Sequence, residues 1–282
     1  MTPRITQTIA ESLNAAAGSL AAHSESPRLD AEVLLGAVLG VGRAGLIARG
    51  AEPLGAQASH DFRAMIGRRA GGTPVAYLVG TREFWSLPLR VSPAVLVPRP
   101  ETELLVELAL ALMPPDAALL DLGTGSGAIA LAVASERPAA RIVASDVSEA
   151  AILIAQGNAQ RLGLANVGWR LGSWLEAVPD ESFEVIVSNP PYVAASDPAL
   201  ETLVAEPSLA LIGGPTGLEQ LEAIAATAAG HLSPGGWLLL EHGEAQQGEV
   251  ARLLECAGLA DIRSHRDYSG RPRVTRARFA GR

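Results

Sequence analysis

Lysine does not occur anywhere in the 282 residues; all 22 basic residues are arginine. This reads as a bias of composition and carries no function. Cysteine occurs once, at Cys256, which excludes an internal disulfide and disfavours a cysteine-based metal site. Its setting, "VARLLECAGL", reads as a helix carrying a small core residue. Long apolar runs are missing too. No stretch approaches the ~18 uninterrupted apolar residues of a membrane-spanning helix, and the opening "MTPRITQTIAESL" is amphipathic rather than signal-like. A cytoplasmic protein, monomeric and without a membrane partner, is the expectation. The five histidines are scattered and suggest no metal. There is no internal repeat and no low-complexity tract.

Positive charge is the other scarcity, and it is unevenly placed. Residues 1–100 hold 10 arginines against 7 acids, whereas residues 101–282 hold 12 against 23. An acidic main portion disfavours a broad phosphate-binding surface, because each phosphate contact wants a cation. The last twenty residues invert the trend, with seven arginines against Asp267. Solvated faces of a terminal hairpin account for them more simply than a nucleic-acid patch.

What is present divides the chain. Ile5, Ile9, Leu13 and Leu20 form one helical stripe over 5–22. "SPRLDAEVLLGAVLG" starts a second helix, with Ser26 as N-cap and Pro27 at its first position. "GAQASHDFRAMIGRRAGG" reads as a third, ended by its glycines. Residues 1–80 are therefore expected to form an all-helical domain for substrate recognition. "REFWSLPLRVSPAVLVP" alternates as a β-hairpin should, giving a connector over 81–100. From 101 to 282 the pattern switches to alternating strands and helices. Strands are predicted at 117–122, 141–146, 167–171, 183–188 and 236–241; helices fall at 101–113, 127–136, 148–162, 217–231 and 245–257. An α/β fold follows, with a mostly parallel sheet covered on both faces and an antiparallel C-terminal pair around "SGRP". Residues 194–217 are long and irregular enough to be a substrate-facing loop.

"ALLDLGTGSGAIALAVA" is a strand, a glycine turn and a helix. Gly123, Gly125 and Gly127, with Thr124 and Ser126 between them, allow close backbone approach beside a helix N-terminus. The next strand ends at Asp146, nineteen residues beyond Gly127. A carboxylate there can accept hydrogen bonds from both hydroxyls of a ribose. It could instead cap the following helix, a role Ser148 fills equally well. The order G-T-G-S-G-A departs from the G-x-G-x-x-G of nicotinamide dinucleotide sites. Asp121 at the strand end would repel a pyrophosphate but suits a cation. S-adenosylmethionine, with its sulfonium and ammonium, fits better.

"SNPPYV" leaves the strand 183–188 through Asn189, Pro190, Pro191 and Tyr192. Proline fixes φ, lacks an N–H and holds the preceding residue extended. The Asn189 side-chain oxygen and the Pro190 carbonyl can then face one point as paired acceptors. An –NH₂ on an sp² carbon, as in glutamine or adenine, offers two donors of matching shape. Its lone pair is delocalised, so holding both hydrogens would turn that pair toward an electrophilic methyl carbon. Tyr192 would stack on the planar group. Asn189, Pro190 and Tyr192 are thus the catalytic candidates. The plainer reading is a rigid loop end with Asn189 capping the turn.

"DLGTGSGAIALA", "ASDVS", "GSW", "VSNPPYV", "LEHG", "RLDAEVLL", "EFWSLPLRVSPAVLVPRPETE" and "DYSGRPRV" together resemble the release-factor glutamine methyltransferases. These are class I enzymes, Rossmann-like, that use S-adenosylmethionine. The likeness runs from about residue 27 to 275. "NPPY" is shared with adenine methyltransferases; the segment before the glycine loop is far more specific. The resemblance implies that Gly123 to Gly127 cradle the methionine part of the cofactor, Asp146 holds the ribose and Trp174 lies against adenine. It implies that Asn189 to Tyr192 bind the glutamine amide, with Asn189 touching the cofactor side as well. In this family the strands before Gly123 and Asn189 are neighbours. The implied substrate is the glutamine of the Gly-Gly-Gln tip of bacterial peptide chain release factors, with the helical domain gripping the factor's body. An adenine methyltransferase acting on DNA or RNA is the alternative, and a non-catalytic nucleoside-binding protein a third. Glu241 and His242 of "EHG" read as a hydrogen-bonded structural element rather than a catalytic pair.

Overall fold

A computed structural model describes residues 7–281; Ile5, named above, and Arg282, the last of the seven C-terminal arginines, lie outside the described residues. Two compact units divide the chain, one ending at Gly80 and the other beginning at Thr81. The hairpin at 81–90 belongs to the second unit.

The first unit is helical: α1 (Ile9–Leu20), α2 (Pro27–Leu39), α3 (Arg43–Ala48), α4 (Ala56–Ala70) and α5 (Val75–Val79). Helix α1 starts at Ile9 because Thr8 caps it. The Thr8 hydroxyl accepts from the Glu11 N–H at 3.2 Å, and the Glu11 carboxylate accepts from the Thr8 N–H at 2.9 Å. Ser26 does stand at the N-cap of α2, with Pro27 after it, but its side chain makes no capping bond. Leu13, Leu20, Leu34, Leu35 and Phe62 form this unit's core.

The second unit opens with the antiparallel pair β1 (Thr81–Phe84) and β2 (Leu87–Arg90). A 3-10 turn, Pro100–Thr102, leads into α6 (Glu103–Leu112). Then come β3 (Ala118–Leu122), α7 (Ala128–Glu136), β4 (Arg141–Asp146), α8 (Glu149–Leu162), β5 (Val167–Leu171) and β6 (Phe183–Ser188). A short parallel pair, β7 (Val193–Ala194) and β8 (Ile212–Gly214), brackets the irregular segment. The rest is α9 (Glu219–Ala228), β9 (Leu232–Glu241), α10 (Gln247–Cys256), β10 (Ala260–Arg266) and β11 (Pro272–Arg278).

The main sheet runs β10-β11-β9-β6-β3-β4-β5. Strands β9, β6, β3, β4 and β5 are parallel, and β11 is antiparallel to both of its neighbours. Leu119, Val185 and Leu239 point to the face covered by α6, α7 and α8. Leu120, Ile186 and Leu240 point to the face covered by α9 and α10. Burial on both faces explains why these strands read as continuous apolar runs.

One sequence expectation fails here. Cys256 ends α10 and is exposed rather than in the core. The buried stripe of α10 passes through Val250 and Leu254, and two further residues turn the helix about 200° away from it.

Candidate active site

From β3 the chain moves outward to β4 and β5, then returns to lay β6 on the other side of β3. Leu122 and Ser188 are register partners, so the loops after these strands leave the sheet side by side. Such a switch in strand order is where open α/β sheets bind ligands. A cavity of about 570 Å³ lies there. Its wall joins the glycine loop, Asp146, Trp174 and Asn189 with segments 94–99 and 207–212.

The glycine loop is held by its neighbour strand. The N–H groups of Gly123 and Thr124 both donate to the Ser145 carbonyl at 2.9 Å. Gly123 has φ +73°, and a Cβ on it would stand 3.2 Å from the Trp174 ring. Glycine is therefore required for both conformation and space. Asp146 organises the same turn: one oxygen accepts from the Gly125 N–H at 2.9 Å, the other from the Ser148 N–H at 2.9 Å. Burial raises its pKa against these bonds. Ser148 is the N-cap of α8, accepting from the Ala151 N–H at 3.3 Å. The capping bond of α8 thus comes from Ser148, and Asp146 lines the cavity.

Asp121 lies elsewhere. It is fully buried behind the loop and is absent from the cavity wall. One oxygen accepts from the Thr124 hydroxyl at 2.7 Å and the Ala130 N–H at 3.2 Å. The other has no hydrogen-bond partner among the described residues. Desolvation pushes its pKa up to about 7, and the nearby Asp146 charge adds to the rise.

Trp174 is half-buried at the cavity edge, and its indole N–H donates to the Gln220 side chain at 3.0 Å. Its φ of +44° is left-handed, which for a bulky residue costs on the order of 1–3 kcal/mol. The Gln220 bond and the contact with Gly123 hold it there.

Asn189 lines the cavity, and its amide nitrogen donates to the Thr102 hydroxyl at 3.1 Å. That bond fixes the amide's orientation and leaves the side-chain oxygen as the available acceptor. Pro191 is also on the wall; Pro190 is buried, and Tyr192 faces a second, smaller cavity of about 190 Å³. Arg99, Glu101, Glu241 and Arg273 line that cavity with it. The Tyr192 hydroxyl is 3.5 Å from Glu241, and burial, then the Glu241 charge, raise its pKa. Glu241 is itself buried, with a pKa pushed up to about 7 by desolvation. His242 bonds the Thr275 hydroxyl and the Gly243 carbonyl, each at 2.8 Å. His242 is thus held in hydrogen-bonded structure, whereas Glu241 keeps one buried oxygen without a hydrogen-bond partner among the described residues.

Several residues on or near the wall carried no sequence signal. Glu206 takes the Val97 N–H at 3.1 Å and the Arg99 guanidinium at 2.5 Å, tying the irregular segment to the connector. Thr102 and Gln220 act through partners far away in sequence. Val147, exposed directly after Asp146, lines the cavity and could have been read as an apolar contact for a ligand.

Strand order, glycine loop and cavity define a class I methyltransferase fold. A methyltransferase from Pyrococcus furiosus matches it at TM-score 0.55 and 23% identity, over 70% of this chain and 90% of its own. A T. thermophilus 16S rRNA methyltransferase, solved with AdoMet and guanosine, matches at TM-score 0.54 and 23% identity, over 70% and 49%. In sequence, the PrmC N-terminal domain matches residues 11–80 and the methyltransferase small domain residues 100–255. The release factor glutamine methyltransferase of Xylella fastidiosa strain Temecula1 is 49% identical, over 93% of this chain and 96% of its own. That of Escherichia coli K12 is 46% identical, over 91% and 94%. The chain belongs to the release factor glutamine methyltransferase family.

Proposed function

We propose that this protein transfers a methyl group from S-adenosylmethionine to the side-chain amide nitrogen of the Gly-Gly-Gln glutamine in bacterial peptide chain release factors. The observation that carries the reading is Asn189. Its nitrogen is committed to Thr102 while its oxygen is left for a cavity that also holds the glycine loop. The cavity fits the cofactor: a ring stands against Gly123 and a carboxylate lies on the wall at Asp146. Gly123, Thr124, Gly125, Ser126 and Gly127 would hold the methionine part, Asp146 the ribose, and Trp174 the adenine. Asp121 would act at one remove, through the loop it braces. When bound, S-adenosylmethionine supplies an electrophilic methyl carbon on a sulfonium.

The chain's own residues orient the nucleophile. The Asn189 oxygen and the Pro190 carbonyl would accept the two N–H bonds of the glutamine amide, with Pro191 stiffening the rim. As nitrogen becomes positive these acceptors strengthen their hold, which stabilises the transition state more than the bound substrate. The methylated nitrogen is acidic enough to lose its proton without a strong base. Tyr192 would support the platform from the side of the second cavity. The helical unit, matched over 11–80 to the PrmC N-terminal domain, would grip the body of the factor. An adenine substrate in nucleic acid is not favoured, because residues 101–282 carry 23 acids against 12 arginines.

Incubation with labelled S-adenosylmethionine and either release factor or duplex oligonucleotide tests this. Label should enter the factor, and Asn189→Ala should slow it by about 10²–10³, as for a lost oxyanion donor. Label on the oligonucleotide and none on the factor would overturn the reading.

A further inference from the structure

A side-chain amide is ambiguous until a neighbour with a single role fixes it. Trp174 is such a neighbour, because an indole N–H can only donate. It meets the Gln220 side chain at 3.0 Å, so the end facing it must be the Gln220 oxygen. The Gln220 nitrogen, with two hydrogens, is left over. It donates to none of the described residues and is not among the buried unpaired atoms. Gln220 lines the cavity of about 570 Å³, together with Trp174, Gly123 and Asp146.

The sequence holds this pair in a fixed relation. Trp174 opens the 3-10 turn Trp174–Ala177, and Gln220 is the second residue of α9. Their immediate neighbours, Leu175 and Leu221, are buried in the same apolar core. Trp174 keeps a left-handed backbone at φ +44°, a strain the Gln220 bond helps offset. The amide is therefore tied at its oxygen and free at its nitrogen.

A donor without charge suits a neutral acceptor. The ammonium and the exocyclic amine of S-adenosylmethionine are donors and would meet this nitrogen donor against donor. Its carboxylate and ribose oxygens accept, but the glycine loop and Asp146 take those parts in the reading above. The adenine ring nitrogens remain. They accept in the plane of the base, and they belong to the group that Trp174 flanks.

We infer that Gln220 reads the adenine of the cofactor, donating from its side-chain nitrogen to one ring nitrogen while its oxygen holds Trp174. This rests on Trp174 as the adenine wall. One amide thus couples the ring that stacks on the base to the group that recognises its edge.

The test is calorimetric binding of S-adenosylhomocysteine and its 1-deaza, 3-deaza and 7-deaza analogues, each with one ring nitrogen replaced by C–H. Wild type should bind one of the three about threefold to thirtyfold more weakly than the parent, the scale of one neutral hydrogen bond. Gln220→Glu keeps an acceptor for the Trp174 indole and removes the donor. It should bind the parent more weakly and show no further loss with that analogue. The inference is overturned if wild type binds all three analogues within about twofold of the parent while Trp174→Ala is impaired. It is equally overturned if Gln220→Glu shows the same analogue loss as wild type, since another group then reads that nitrogen. Undiminished parent binding by Trp174→Ala would instead remove the adenine wall, and this inference with it.

Discussion

Asp121 shows how one residue can serve a site without touching its cavity. The sequence places an acid at the end of the first strand of the methyltransferase unit, where a cation would welcome it. In the fold it turns under the loop and takes the Thr124 hydroxyl and the Ala130 N–H. Burial keeps it protonated to about pH 7, whereas the free carboxyl ionises near 3.8. Its stabilising contribution is thus fully present below the unfolded value and is lost as pH rises toward the folded one. Asp121→Asn cannot ionise and should lose this dependence. Urea midpoints at about pH 5 and about pH 8 check it: the variant should gain on wild type at the higher pH, once Glu241 is common to both. An equal gap at both values would contradict the assignment.

At the scale of elements, the glycine loop and α7 are one device. Gly127 caps α7 at φ +85°, and a Cβ there would come within 3.0 Å of Leu131 and 3.1 Å of Ala155. Gly127→Ala combines a left-handed backbone with a steric clash, so a loss of about 1–3 kcal/mol in urea denaturation is expected. Most elements of the second unit were legible because their apolar runs and glycine turns are local. The predicted strand at 183–188 and helix at 148–162 agree with β6 and α8 to within a residue. Strand β9 begins earlier than predicted, at Leu232, because Pro234 and Gly235 read as breakers; pairing with β6 carries the strand through a register shift. The short helices α3 and α5 were missed, being too brief to show a period. Asn189 could be read because proline restrains its neighbours locally. Thr102 and Glu206 could not, since their partners lie 87 and 107 or more residues away.

For the whole molecule, charge and division set the context in which those contacts work. The unit that carries the cavity is acidic, and its arginines gather near the C-terminus, where Arg276 and Arg278 lie over Trp237 at 4.8 and 5.7 Å. Cation–π packing gives these two a structural use. Among the described residues no helix is long and apolar enough to cross a membrane.

All of this converges on a reluctant nitrogen presented in a single orientation. A crystal structure with S-adenosylhomocysteine and a Gly-Gly-Gln peptide measures that directly. The glutamine amide nitrogen should lie within hydrogen-bonding distance, about 3 Å, of both the Asn189 side-chain oxygen and the Pro190 carbonyl, on the side facing the cofactor sulfur. An amide bound well away from those two oxygens, or with its carbonyl turned toward them, would contradict the account.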